Sequence, residues 1–202
     1  TINSFSQLAM GKWRTHFAYN AISQIAITEN KVFAISDGSL FSVEKNADCV
    51  QNDGCMEFYS KMNGLNDGNI VRIDYDKYTK KLIIIYKNGN IDLMGDGGII
   101  NIPDLYNKPM SISKTVNHIA FTQNRAYLAC NFGIVALNTA KNEIADTYFI
   151  GPQGSELKVI NTTIFNDKIY ALTPDKIYFA NTNEPNLVNF EYWSSLNFVP
   201  SS

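Results

Sequence analysis

Only two histidines, His16 and His118, and three cysteines, Cys49, Cys55 and Cys130, occur in this chain of 202 residues. A zinc-type centre draws on several His or Cys ligands at short spacing, so no metal site is expected. The same scarcity argues against a Ser-His-Asp constellation, and no GxSxG nucleophile elbow occurs. The sequence thus supports no catalytic centre and no cofactor. Basic residues (17) nearly balance acidic ones (19), for a formal charge of −2, and neither sign forms a run. Nucleic acid is not an expected partner, because phosphate binding depends on clustered Lys and Arg. No stretch approaches the roughly 18 apolar residues of a spanning helix, so direct membrane insertion is not expected. The opening TINSFSQLAMGKW has no basic segment followed by an apolar core, hence no intact signal peptide. Residues 1–11 read as a mature N-terminus or a tail.

What the chain does have is aromatic residues, 12% of the total with 11 Tyr and 12 Phe, and flat rings pack well on pleated sheets. The run 116–154, VNHIAFTQNRAYLACNFGIVALNTAKNEIADTYFIGPQG, shows the organisation most clearly. Four apolar segments of five to seven residues, 116–121, 125–130, 134–138 and 144–150, are separated by Asn, Gly or Lys pairs. They are too short for helices and rich in β-branched and aromatic types, which predicts an antiparallel four-strand meander. No flanking helix is available to cover it, so its faces must pack on other sheets.

The unit recurs. Gly133, with Val135 two positions later, has equivalents in Gly38 with Leu40, Gly89 with Ile91 and Asp175 with Ile177, at spacings of 51, 44 and 42 residues. These lie near the propeller-blade period of about 40–45. The fold class expected is therefore all-β, a β-propeller of four-stranded antiparallel blades at about 22–61, 70–105, 116–150 and 159–193. First strands are placed at 23–28, 70–75, 116–121 and 159–165, and fourth strands at 56–61, 99–105, 144–150 and 189–193. A strand at 12–17, carrying Trp13, is expected to complete the last blade of the domain 12–202. Blades of this kind close as rings of roughly six to eight, so about four blades imply part of a larger ring of about seven. Open blade faces would favour self-association.

Three stretches carry a family resemblance. WRTHFAYNAISQIAITENKVFAISDGSLFSVEK, YSKMNGLNDGNIVRIDYD and YLACNFGIVALNTAKNEIADTYFIG resemble the N-terminal propeller of PorZ-type proteins, from the attachment complex of the type IX secretion system in Bacteroidetes. NGLNDGNI, 63–70, also resembles the linker of two-component regulator propellers, the periplasmic sensor regions of hybrid histidine kinases. The first resemblance implies a non-enzymatic module at the periplasm or outer-membrane-associated cell surface, with envelope proteins or a surface glycan or lipopolysaccharide as partners. The second implies a sensor that binds glycan and signals to a kinase. A third class, a propeller lyase or hydrolase, would need a polar catalytic cluster in the axial funnel.

Binding residues are sought on the end of the propeller where second-to-third turns gather with the links 62–69, 106–115 and 151–158. The candidates there are Asp37, Asn63, Asn66, Asp67, Asn88, Asn131 and Phe132. Amides and carboxylates beside a ring suit sugar hydroxyls, yet tight turns require the same residue types. Cys49 and Cys55 flank a polar loop that a disulfide could close, or they are two free thiols. Cys130 reads as a small buried apolar residue, and His118 as a packed or backbone-bonded side chain. Asp74 and Asp76, two apart on a strand, share a face and read as a solvated strand end. Asn63, Asn66, Asp67 and Asn69 only loosely match a calcium loop, since Leu65 stands where an oxygen donor is needed.

Overall fold

Every residue from Leu82 to Tyr86 of one strand, β6 (Lys81–Tyr86), is buried. Successive side chains of a strand point to opposite faces, so both faces of this sheet must be covered. Ile83 and Ile85 enter a core with Ile119, Leu128 and Val135. Leu82, Ile84 and Tyr86 enter another with Phe33, Ile35 and Leu40. A near-continuous apolar run is thus the signature of a sheet sandwiched between two others. The structure, a computed structural model, describes residues 21–45 and 55–197. Trp13 with the expected strand at 12–17, His16 and Cys49 lie outside the described residues.

Four sheets follow one another, each pairing antiparallel in chain order. The first holds β1 (Ile22–Ile27), β2 (Lys31–Ser36), β3 (Ser39–Glu44) and β4 (Met56–Tyr59). The second holds β5 (Ile70–Asp76), β6, β7 (Ile91–Gly95) and β8 (Gly98–Ile102), followed by a one-turn helix, α1 (Asp104–Asn107). The third holds β9 (Val116–Phe121), β10 (Ala126–Cys130), β11 (Gly133–Asn138) and β12 (Glu143–Tyr148). The fourth holds β13 (Asn161–Phe165), β14 (Lys168–Leu172), β15 (Lys176–Asn181) and β16 (Ser194–Asn197). First strands touch in succession, β1 with β5, β5 with β9 and β9 with β13. They line the inner side, and the fourth strands lie outward, as in propeller blades.

Turn chemistry fixes the register. Asp37 and Gly38 both take positive φ, 48° and 74°, the type I′ geometry that suits a two-residue hairpin. Gly133 is required by proximity: a Cβ there would lie 2.2 Å from the Tyr148 carbonyl oxygen, with φ at 150°. Asp175, the fourth marker, is absent from the positive-φ residues, and Pro174 beside it fits an ordinary bend.

One strand lies elsewhere than expected. Residues 189–193 read as a fourth strand, but Phe190–Tyr192 is a 3-10 turn, with Asn189 accepting from the Glu191 amide. The strand comes afterwards, at β16. Trp193 explains the shift: it is buried, its ring lies 6.0 Å from Tyr148, and Nε1 donates to the Leu187 carbonyl at 3.0 Å. The aromatic cluster that looked like a strand is the anchor of a turn against the third sheet. In the same sheet the first strand starts at Asn161, because the Val159 amide instead donates to Cys130 of the third sheet at 2.9 Å.

Polar keys join neighbouring sheets as well. The Ile70 amide donates to the Gly38 carbonyl at 3.0 Å, joining second to first. Lys81 Nζ donates to the Thr139 carbonyl at 2.7 Å and to Asn142 Oδ1 at 2.6 Å, joining second to third. Asp76 is buried rather than solvated, accepting from the Tyr78 amide at 2.9 Å, from Thr79 Oγ1 at 2.6 Å and from Thr139 Oγ1. It closes its own hairpin and holds the next blade. Cys130 is buried with a free thiol, which burial pushes well above its ordinary pKa. Cys55 is disulfide-bonded. The outward face of the fourth sheet, by contrast, leaves Phe165 and Leu196 exposed beside the stacked Tyr170 and Phe179.

Candidate functional site

The link between the first and second sheets is held by a carboxylate that the sequence reading passed over. Asp92, on β7, is fully buried. Its Oδ2 accepts from the Asn66 amide at 2.9 Å and from Tyr86 Oη at 2.5 Å. Its Oδ1 accepts from Asn66 Nδ2 at 3.0 Å and Asn101 Nδ2 at 2.8 Å. Asn101 also donates to Asn90 Oδ1 at 2.9 Å. Four donors around one carboxylate make it a satisfied, rigid centre. Burial, with the neighbouring Asp92 charge, drives the Tyr86 phenol far above its ordinary pKa, so it stays a donor.

Around this centre the predicted loop residues separate. Asn66, Asp67 and Asn88 come together: Asn88 Nδ2 donates to Asp67 Oδ2, the Gly68 amide donates to Oδ1 at 2.8 Å, and Lys61 Nζ lies 3.3 Å from Oδ1. Burial works to raise the pKa of Asp67, but the bonds from Asn88, Gly68 and Lys61 together bring it below the ordinary carboxylate value. Asn63 is occupied with folding its own turn, donating to the Phe58 carbonyl and accepting from Ser60. Asp37 is exposed on the neighbouring hairpin, whose Gly38 abuts Asn69. Asn131 is apart, accepting from Asn117 Nδ2 at 3.0 Å in the third sheet. Phe132 is a correction: it is fully buried, its ring 6.3 Å from Phe149 within the core, and it cannot cover a sugar face. An aromatic beside a turn glycine reads alike whether it points out or in.

The signal for Asp92 was one charged residue inside the apolar strand NIDLMG. Its partners come from three separate elements, so spacing alone could not assemble them. Among the described residues, no group of three or more His, Cys, Asp or Glu side chains has the arrangement to hold a metal ion. Nor is any helix among them long and apolar enough to cross a membrane.

A row of four-stranded meanders, sandwiched face to face with their first strands innermost, defines a β-propeller module. The chain belongs to the family of PorZ N-terminal β-propeller domains of the type IX secretion system, whose family model matches residues 32–194. Among solved structures it is similar to PorZ of Porphyromonas gingivalis, described as an essential bacterial surface component of that system, at 30% identity and a TM-score of 0.79. That match covers 92% of this chain and 24% of PorZ, so the chain spans about a quarter of that protein's length. The extracellular domain of BT4673 from B. thetaiotaomicron matches at 14% identity and a TM-score of 0.65, covering 91% of this chain and 24% of that one. AztD of Citrobacter koseri matches at 15% and 0.58, covering 88% and 47%. These last two show the fold alone. No curated protein sequence matches the chain.

Proposed function

We infer that the chain is a non-catalytic recognition propeller at the cell envelope, acting within a surface component of type IX secretion. Membership of the PorZ family over residues 32–194 carries this reading. The contact surface is the end that bears Asn66, Asp67 and Asn88, where a buried carboxylate holds the link rigid and its polar rim remains exposed. A rigid loop on a rigid scaffold binds at lower ordering cost than a mobile one. The partner is another envelope protein or a surface glycan. The uncovered Phe165, Leu196 and Phe179 face supports a larger ring of about seven blades, in which the next blade seats there.

The test is made in the parent organism with the full-length protein. Asp67→Asn combined with Asn88→Ala should leave the protein on the cell surface while cargo attachment falls. Deleting the gene should abolish attachment. Normal secretion after deletion, together with a lost transcriptional response to a polysaccharide, would overturn this reading in favour of the sensor class.

A further inference from the structure

At the end of the module opposite Asn66, Asp67 and Asn88, where the β1–β2, β5–β6 and β7–β8 turns gather, two neighbouring seams differ. Between the second and third sheets, hydrogen bonds from Lys81 and Thr139 close the seam. Between the first and second it stays open as a cavity of 380 Å³. The walls are apolar and aromatic: Phe33 of β2, Tyr59 of β4, Tyr75 of β5, Leu82 of β6 and Met94 of β7. All five pack in one cluster, with the Phe33 and Tyr59 ring centroids 5.6 Å apart. Phe33 and Leu82 are buried, whereas the two tyrosines and Met94 are only partly covered and line the opening.

The charges around this cavity are unevenly matched. Glu29, Lys31, Lys80 and Asp96 line it. Lys80 Nζ lies 3.0 Å from Glu29 Oε1, and Asp96 acts on the same ammonium. Lys31 Nζ is shared between Glu57 at 2.7 Å and Glu44 at 3.4 Å. Lys45 Nζ is spent on the Thr28 and Glu29 carbonyls. Of the lining charges, Asp96 alone has no ion pair among the described residues. Burial first, then the Glu29 charge with Asp96 and Asp76 behind it, raises the Tyr75 phenol against the pull of Lys80, so carboxylates outweigh the ammonium at this ring. An anion would find the ammonium groups taken and carboxylates beside them. A neutral apolar group would match the walls and ignore Asp96. A cation with an apolar shell uses both, because aromatic rings and a carboxylate attract its charge while its methyl groups cover apolar surface. We propose that this seam cavity binds a small quaternary ammonium of the choline type, held by the rings of Tyr59 and Tyr75 and by the charge of Asp96. The site is distinct from the Asn66, Asp67 and Asn88 surface, and either can fail without the other.

The test is equilibrium dialysis of the full-length protein against radiolabelled choline, with its uncharged carbon isostere dimethylbutanol and sodium chloride as competitors. Wild-type protein should bind choline saturably, and the isostere should compete at least tenfold more weakly than unlabelled choline. Asp96→Lys should weaken choline binding at least tenfold. Tyr75→Leu should weaken it by a similar factor, whereas Tyr75→Phe, which keeps the ring, should not. Asp96 is exposed in the turn between the paired Gly95 and Gly98, so its variant keeps the test intact if Tyr75→Leu fails to fold. Displacement of the label by phosphatidylcholine vesicles would assign the ammonium to a lipid headgroup, and displacement by free choline alone to a soluble ligand; both support the site. Equal competition by dimethylbutanol would overturn the proposal in favour of a plain apolar pocket, and equal competition by sodium in favour of ion exchange at the carboxylates. Binding that Asp96→Lys leaves unchanged, or no saturable binding at all, would also overturn it.

Discussion

Two polar clusters lie within the second blade and its neighbours, and they differ in one respect. Around Asp92 every donor has its acceptor, whereas around Arg72 and His118 two buried nitrogens have nothing. The first cluster joins a link to three strands, β6, β7 and β8, and behaves as part of the core. The second lies on the inner strands, where Asp74 and His118 border an open depression. Satisfied polar networks specify a fold; buried groups left unpaired draw on its stability.

Breaking the first cluster should produce the largest effect. Asp92→Leu strands the Tyr86, Asn66 and Asn101 donors, and since each costs about 1–3 kcal/mol, a loss of about 4 kcal/mol is expected by denaturant unfolding. Tyr86→Phe removes one donor to a charged acceptor and should cost about 1.5–3 kcal/mol in the same measurement. Both changes should also loosen the link, seen as faster amide exchange at Asn66 than at Leu128.

The second cluster should respond with the opposite sign. His118→Leu removes the unpartnered Nδ1 together with the ring's bond to the Thr162 backbone, and the two effects offset to a net stabilisation of about 0.5 kcal/mol, checked by thermal unfolding. The pH dependence sharpens this. His118 has a folded pKa below the ordinary 6.5, so the unfolded chain binds more protons in the window beneath that value. Wild-type stability should therefore fall as pH drops from 6.5 toward the lowered folded value, and His118→Leu should flatten that slope. Asp74 has its pKa raised, by burial first, and works in the reverse direction nearer the carboxylate range. The smallest effect is expected from Asp67→Asn. Its folded pKa is depressed, so its contribution is present above the ordinary carboxylate pKa and lost as pH falls through the folded value; it amounts to about 0.5 kcal/mol or less.

Much of this architecture is legible in the residues themselves. LIIIY and AYLAC announce sheets covered on both faces, and Asp37-Gly38 announces its hairpin. The misplaced last strand shows the limit. Phe190, Tyr192 and Trp193 have strand composition, but the indole bond to Leu187 and the packing on Tyr148 decide otherwise, and both are tertiary. The candidate site was half legible for the same reason. Asn66, Asp67 and Asn88 are turn residues in predictable places, whereas Asp92 gains its meaning from a link and from the strands on either side of it, which the pattern NIDLMG does not announce. Phe132 was misjudged because burial depends on which blade stands beside it.

The keys between sheets bear on modular exchange. Lys81 reaches the carbonyl of Thr139 and the side chain of Asn142, and Asp76 takes the Thr139 hydroxyl. The Val159 amide, in turn, seeks the carbonyl of Cys130. These pairings are particular to their seams. Blades that look like repeats are therefore not interchangeable parts: a duplicated or swapped second blade would arrive with its lysine and aspartate facing the wrong neighbour, so the order of the ring is recorded at its joints as well as in the chain.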